Sequence, residues 1–376
     1  MIKIGYLQRG RGERRGWNRF CLRVLRALFV KRFWIFSLPL LLSGCGSGEE
    51  VFRQESFVFG TRVEISIAGT ERTKAEAAAQ AVLQRFDALH RKLHAWQPSE
   101  LSQLNTAFAG GKKQAVDAKL ADILLDAQAI SMQSEGLFNP AIGTLISLWG
   151  FHADLPQTQV PAPSTIAALV KAAPSMRDVH IANGLVWSDN PAVQIDLGGY
   201  AKGYALDEAA ALLKQHGIKN ALINIGGNVL ALGKNTSGQS GGRAWKVGIQ
   251  HPRKAGVLAT LELQNSEAIG TSGDYQRYFE TGGKRYCHLI DPRSGYPAST
   301  MQSVTILTTG EYAGVRSDTL TKPLFIAGEN ALRPLLSKLN ATQVLAITAD
   351  GRVLVTPALQ QRLQLSDPKQ HVQLVR

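Results

Sequence analysis

Hydrophobic and polar positions change their period several times along the chain. Phe57–Ala68 (FVFGTRVEISIA) alternates apolar with polar residues, the period of a half-buried strand. From Thr73 to Leu93 the apolar residues Ala77, Ala81, Val82, Phe86, Leu89 and Leu93 recur at helical spacing, so a helix is predicted there. Leu93–Asn105 reads as a loop leading into a short helix, and Leu120–Ser134 as a second amphipathic helix ended by Gly136. The segment FNPAIGTLISLWGF (Phe138–Phe151) is apolar and punctuated by Gly and Pro. Residues 154–165 contain three prolines and read as a surface loop.

The second half is richer in strands. Val193–Leu197 reads as a short buried strand meeting the turn Gly198-Gly199, with a helix over Ala201–Gln215 behind it. Strands are predicted at Ala221–Ile225, Trp245–Gln250, Leu258–Leu263, Ala268–Ser272 and Val304–Thr308. Asp274–Glu280 and Arg285–Ile290 flank Gly282-Gly283 as a hairpin. Val344–Thr348 and Val353–Thr356 do the same around Asp350-Gly351. A helix is expected over Ser317–Ala327. Strands and helices mix without a βαβ rhythm, and no linker divides them, which predicts a single α+β domain over residues 57–376.

Composition changes the picture at one end only. With 44% apolar and 19% charged residues in 376, the chain can bury a core. Its net charge of +13 suggests nucleic acid until the charge is located. Residues 1–44 hold ten Lys/Arg and one acidic residue, and the remainder is close to balance, so no nucleic-acid partner is expected. The basic leader runs into the apolar Phe33–Leu42, too short to span a bilayer and suited to a signal-peptide core. Leu42-Ser43-Gly44-Cys45 follows, a small-residue pair before a cysteine, which is the lipoprotein processing pattern. Residues 1–44 are thus read as a cleaved signal peptide, Cys45 as the lipidated N-terminus and residues 45–56 as a tether. The expected location is the periplasmic side of a bacterial membrane. Gly46 follows the cysteine and leaves both membranes open, with the inner one favoured. Cys287 would then be the sole remaining thiol, so no internal disulfide is expected.

Four clusters carry chemistry. In DLGGYAKGYA (Asp196–Ala205) an aspartate and two glycines precede a helix N-terminus with Lys202 in its first turn, which is either an anion cradle or a plain tight turn. INIGGN (Ile223–Asn228) is a second Gly-Gly turn after a buried strand. AIGTSGD (Ala268–Asp274) leads to KRYCHLIDPRSGYP, where His288 has Asp291 and Arg293 close behind, a pattern that suits a general base better than a lone histidine does. SDTLTK (Ser317–Lys322) opens an apolar helix with oxygen donors that serve either as a cap or as Mg²⁺ ligands. A Walker loop and Cys/His zinc spacing are missing from the sequence.

Taken in order, these segments resemble the ApbE-type flavin transferases, FAD:protein FMN transferases, over roughly Phe57 to Gly328. The resemblance rests on FGTRVEI, LHAWQPSELSQLN, FNPAIGTLISLWGF, DLGGYAKGYALDEAAALL, INIGGNVLALG, TSGDYQRYF, YCHLIDPRSGYP and SDTLTKPLFIAG. It implies an ApbE-like, T-fold-related domain in its lipoprotein form. The implied reaction cleaves FAD at its diphosphate, esterifies FMN to a Thr or Ser hydroxyl of a target flavoprotein and releases AMP. It also implies Mg²⁺ as cofactor and an acceptor that is a subunit of a membrane redox complex.

By the same resemblance His288 is the catalytic base. Gly199, through its carbonyl, Asp318 and Thr321 hold the metal. Phe59, Trp96, Leu137, Phe138, Asn139, Asp196, Lys202 and Leu289 contact FAD. The chain departs from the family pattern at several of these places. Lys322 stands where threonine is common, so that either Thr321, one residue earlier, takes its place or the lysine ammonium itself meets the diphosphate. Cys287 stands where a first histidine precedes the base, Trp96 where tyrosine is usual, Asn139 where aspartate is, and Asn228 where glutamate is. Two readings compete with the transferase: a FAD pyrophosphatase giving FMN and AMP, and a non-enzymatic FAD-binding lipoprotein.

Overall fold

The computed structural model describes residues 50–153, 158–237 and 241–375. The signal segment 1–44 and Cys45 with its expected lipid lie outside the described residues, as do residues 154–157 of the proline-rich loop.

A nine-stranded sheet forms the frame, in the spatial order Phe52–Val58, Thr61–Ile67, Ala221–Ile225, Asn228–Leu232, Glu267–Gly273, Met301–Thr309, Val344–Thr348, Val353–Val355 and Val372–Leu374. Every neighbouring pair is antiparallel except the last. Both faces are covered, so the central strands carry apolar residues on both sides instead of alternating with polar ones. Val344 and Ala346 face the main core, and their neighbours Leu345 and Ile347 face a second core. Helices Arg72–Lys92, Ala201–Gln215, Ala313–Thr319 and Thr321–Lys338 contribute to the first. The second lies under a three-stranded sheet of Trp245–Gln250, Val257–Leu263 and Gln364–Leu365. A third cluster, with Ile142, Leu145, Trp149, Phe151, Ile166, Phe279 and Ile290, sits beneath the hairpin Tyr278–Thr281/Lys284–Cys287. The described residues form one compact α+β unit.

Most predicted elements are present within a residue or two, and four differ. The alternating run Phe57–Ala68 is a hairpin, not one strand: Phe59 and Gly60 both take positive φ, 56° and 68°, and turn the chain back on itself. Its first strand begins at Phe52, inside the expected tether, because Phe52–Val58 pairs with Thr61–Ile67 at all seven positions. Val193–Leu197 joins no sheet beyond a single bridge from Gln194 to Ile142. Its backbone is satisfied instead by Pro140, Ala141 and the Asn105 amide, with Asp196 N–H donating to Pro140 O at 2.8 Å and Ile195 N–H to Asn105 Oδ1 at 2.7 Å. The last proline of the predicted loop opens a helix, Pro163–Ala172, at a position where a missing N–H costs nothing.

The helix expected over Ser317–Ala327 is two helices, Ala313–Thr319 and Thr321–Lys338, with Leu320 between them. The second breaks again at Gly328, whose φ of 72° lies outside helical space.

Candidate active site

Asp196 comes off its irregular segment into the turn Leu197-Gly198-Gly199. Its Oδ1 accepts the Gly198 N–H at 2.7 Å, and its Oδ2 accepts the Trp96 indole N–H at 3.0 Å. The carboxylate therefore binds the Gly-Gly turn to a loop one hundred residues earlier. Lys202, in the first turn of helix Ala201–Gln215, places Nζ 3.3 Å from the Gly198 carbonyl.

That helix meets Ala313–Thr319 at two glycines. A Cβ on Gly203 would lie 2.4 Å from the Gly314 carbonyl, and a Cβ on Gly314 would lie 2.4 Å from the Gly203 carbonyl, so only glycine allows this approach. The closeness lets the Gly203 N–H reach Asp318 Oδ2 at 3.0 Å. Asp207 reinforces the junction by accepting the N–H groups of Gly314 and Val315, each at 2.8 Å. Burial pushes the Asp207 carboxyl up to about 6.

Asp318 is buried, and its other oxygen is held by lysine. Lys322 Nζ lies 2.6 Å from Oδ1 and 2.6 Å from the Asp318 carbonyl, and Lys202 Nζ lies 3.7 Å from the same Oδ1. Burial pushes the Asp318 carboxyl up, but Lys202 and Lys322 outweigh it and hold the group below its ordinary value, as an anion. Thr321 donates its hydroxyl to the Asp318 carbonyl at 2.7 Å and shares a 2.8 Å hydrogen bond with Ser272. The Lys322 stem passes over Gly199, where a Cβ would come 2.9 Å from Lys322 Cε.

The three expected Mg²⁺ ligands, Gly199, Asp318 and Thr321, are thus gathered in one place, but this donor set does not fit the ion. Mg²⁺ requires several oxygen donors at close to octahedral positions. Here an ammonium and a backbone N–H occupy the two oxygens of the one carboxylate, and the threonine hydroxyl is turned to other partners.

His288 follows the strand Lys284–Cys287. Its backbone N–H donates to the Arg277 carbonyl at 3.0 Å, and Nδ1 lies 3.2 Å from the same oxygen. A carbonyl only accepts, so Nδ1 carries the proton and Nε2 keeps its lone pair. The half-buried ring is pushed down to about 3, first by burial and then by the positive charge of Arg277, Lys202 and Lys322. The neutral form is therefore the resting state, which is the form a base needs. Asp291 and Arg293, expected beside the histidine, pair with each other instead at 2.7 Å. They close a turn that the Trp149 indole N–H grips through the Gly295 carbonyl at 2.8 Å.

The expected flavin contacts divide into two groups. Trp96 packs against His152 with the rings tilted by 49° and their centroids 5.0 Å apart, and Phe151, the neighbour of His152, lies edge-on to His288 at 6.4 Å. Phe138 lies 3.7 Å from where a Gly199 Cβ would be, so Trp96, Phe138, Asp196, Lys202 and His288 surround one region. Phe59 stands further out. It reaches Trp96 only through His90 and His94, the latter accepting the Trp96 backbone N–H. Leu137, Phe138 and Leu289 are all buried in the main core, Phe138 with one ring edge toward Gly199. The Asn139 amide closes its own loop, donating to the Pro174 carbonyl at 2.9 Å and accepting from the Ala141 N–H at 3.1 Å.

Sequence reading missed Arg277 and His152. Arg277 orients the His288 ring through its carbonyl, while its guanidinium holds the Phe151 carbonyl at 2.6 Å. Nothing in the residue type announces such a role, because the backbone performs half of it. Asn228, flagged at a turn, is buried with an amide nitrogen that has no partner among the described residues. A cleft of about 290 Å³ beside the hairpin, lined by Arg253, Asp274, Arg285 and Cys287, holds none of the expected site residues.

The ApbE family profile matches residues 59–346. A FAD:protein FMN transferase of Rhodobacter capsulatus is 41% identical over 308 residues, which is 82% of this chain and 57% of that relative. The chain thus spans little more than half the length of that protein. A second FAD:protein FMN transferase, from Klebsiella pneumoniae, is 32% identical over 71% of this chain and 79% of its own length. Among solved structures, the ApbE protein of Thermotoga maritima aligns with a TM-score of 0.75 at 28% identity, covering 83% of this chain and 99% of that one. The flavin transferase ApbE of Vibrio cholerae, at 24% identity and a TM-score of 0.71 over 84% of this chain and 99% of its own, shares the fold. The profile match and these relatives together establish that this chain belongs to the ApbE family.

Proposed function

We propose that this protein is a FAD:protein FMN transferase that esterifies FMN to a Thr or Ser hydroxyl of a target flavoprotein. The observation that carries the reading is His288, held neutral, with Nε2 unpaired among the described residues, in the same site as Lys202 and Lys322. In the proposed step the acceptor hydroxyl attacks the flavin-side phosphorus of FAD and gives its proton to His288 Nε2. The bond from that phosphorus to the bridging oxygen breaks, and AMP leaves with the oxygen and its electron pair. Lys202 and Lys322 face the charge that builds on the diphosphate. Trp96, partly exposed, offers an aromatic face for a ring of FAD, and Asp196 fixes the turn from which Lys202 projects. The Lys322 ammonium occupies the Asp318 oxygen that the expected Mg²⁺ would take.

The location belongs to the same reading. A chain anchored through a lipid on Cys45 at the periplasmic side of the inner membrane would meet acceptors among the exposed subunits of membrane redox complexes. The support is the basic, apolar, Leu-Ser-Gly-Cys leader.

The test is to incubate the chain from Glu49 onward with FAD and a candidate acceptor and look for a flavin-fluorescent protein band. A band that disappears when the acceptor hydroxyl is removed supports transfer. No band with an acceptor that another family member labels refutes it, and AMP release without any acceptor would identify a pyrophosphatase instead.

A further inference from the structure

Two ammonium groups converge on one carboxylate oxygen in this site: Lys322 Nζ at 2.6 Å and Lys202 Nζ at 3.7 Å from Asp318 Oδ1. We infer that Lys322, with Lys202, is a built-in replacement for the divalent cation, so that this chain binds and polarises the FAD diphosphate without a bound metal. The inference rests on the transferase reading for the identity of the ligand, and on geometry for the role of the lysine.

Three observations support it. The first is occupancy. The Lys322 stem lies against Gly199 and its head against Asp318, so this side chain fills the space between two of the three residues expected to hold the metal. The second is saturation. Asp318 Oδ2 takes the Gly203 N–H at 3.0 Å, and Thr321 donates to the Asp318 carbonyl, so a metal entering here would have to break several bonds made by buried groups.

The third is charge. Two ammonium groups against one carboxylate leave the spot net positive, as an anionic diphosphate requires. Lys322 directs two hydrogen bonds at Asp318 and has three donors, so one remains for a phosphate oxygen. Asp318 then has a different job from that of a metal ligand: it anchors the ammonium in position.

The test compares FAD binding to the full chain, purified in detergent, in EDTA and in Mg²⁺, with acceptor labelling followed in the same samples. The expected result is a wild-type Kd that agrees within about threefold between the two conditions, with labelling preserved in EDTA. Lys322→Thr, which restores the hydroxyl common at this position, should lose about tenfold or more in FAD affinity in EDTA and regain it in Mg²⁺. Lys322→Met should lose affinity in both. A wild-type Kd that rises about tenfold on metal removal would overturn the inference, as would labelling lost in EDTA alone. If the variants do not fold, the wild-type comparison still decides. Metal-indifferent FAD binding without labelling in either condition would refute the transferase reading and leave the assignment of Lys322 standing.

Discussion

Trp96 donates its indole N–H to Asp196 Oδ2 at 3.0 Å and so joins the loop after helix Arg72–Lys92 to the Gly-Gly turn before helix Ala201–Gln215. A tyrosine, usual at this place in the family, has a hydroxyl on a shorter ring. The indole instead keeps an aromatic face available while orienting the carboxylate that shapes the turn. Trp96→Phe should keep the stacking surface and lose the hydrogen bond. A bond to a charged acceptor contributes about 1.5–3 kcal/mol, so FAD affinity should weaken by roughly 10- to 100-fold. Titration of flavin fluorescence would check this, and an unchanged affinity would show that the indole N–H does nothing for the site.

His288→Ala should leave FAD affinity nearly intact and slow labelling by about 10²- to 10⁴-fold, the usual contribution of a positioned base. Quantifying flavin-labelled acceptor over time gives the rate, and a loss of less than threefold would remove His288 from the base's role.

The acid limb of kcat/KM should lie well below the ordinary histidine range, because burial and then Arg277, Lys202 and Lys322 hold the ring down to about 3. The sign follows from the base's need to be neutral: activity falls only once His288 takes a proton. Lys202→Met removes one of those positive charges and should move the limb upward, toward the ordinary value. A wild-type limb near 6.5 would mean that the ring is open to water in the free enzyme.

Gly203→Ala places a methyl group 2.4 Å from the Gly314 carbonyl and 2.8 Å from Asp318 Cβ. The two helices must separate, at a cost of about 1–3 kcal/mol of stability, and the bond from the Gly203 N–H to Asp318 should weaken with them. Denaturant unfolding measures the first effect. A variant as stable as the wild type would show that the helix pair adapts freely.

Asp207 gives a pH dependence of the opposite kind. Its folded-state value of about 6 lies above the unfolded value, so the native state holds the proton longer. The group's contribution to stability therefore grows as pH falls from about 6 toward 4 and is lost as pH rises through that window, with a total of about 3 kcal/mol. Relative to Asp207→Asn, the wild type should gain stability across that interval. Parallel curves for the two proteins would rule this out.

The fold was legible wherever one physical signal dominated. Helix Ala201–Gln215 and strand Ala221–Ile225 have the predicted bounds because period and turn glycines agree there. FVFGTRVEI misled because an alternating pattern continues unbroken through a two-residue turn, and only the φ values of Phe59 and Gly60 reveal the reversal. Val193–Leu197 was misread because its burial comes from a side-chain partner, Asn105, distant in sequence. Asp196, Lys202, His288 and Asp318, named from the ordered motifs, lie near one another in the structure. The partners of His288 were not legible. Asp291 was close in sequence but bonds Arg293, and the true partner is a backbone carbonyl, which no residue type encodes.

The apolar cluster under the hairpin has its own bearing on how the protein opens. Trp149, Phe151, Phe279 and Ile290 form a small core distinct from the two that bury the main sheet, and the turn bearing Asp291 and the strand leading to His288 both rest on it. A cluster of that size can melt as a unit while the sheet stays folded. Amide hydrogens of Tyr278–Cys287 should then exchange earlier than those of Met301–Thr309. His288 would be released first on warming, and the candidate site would come apart before the architecture.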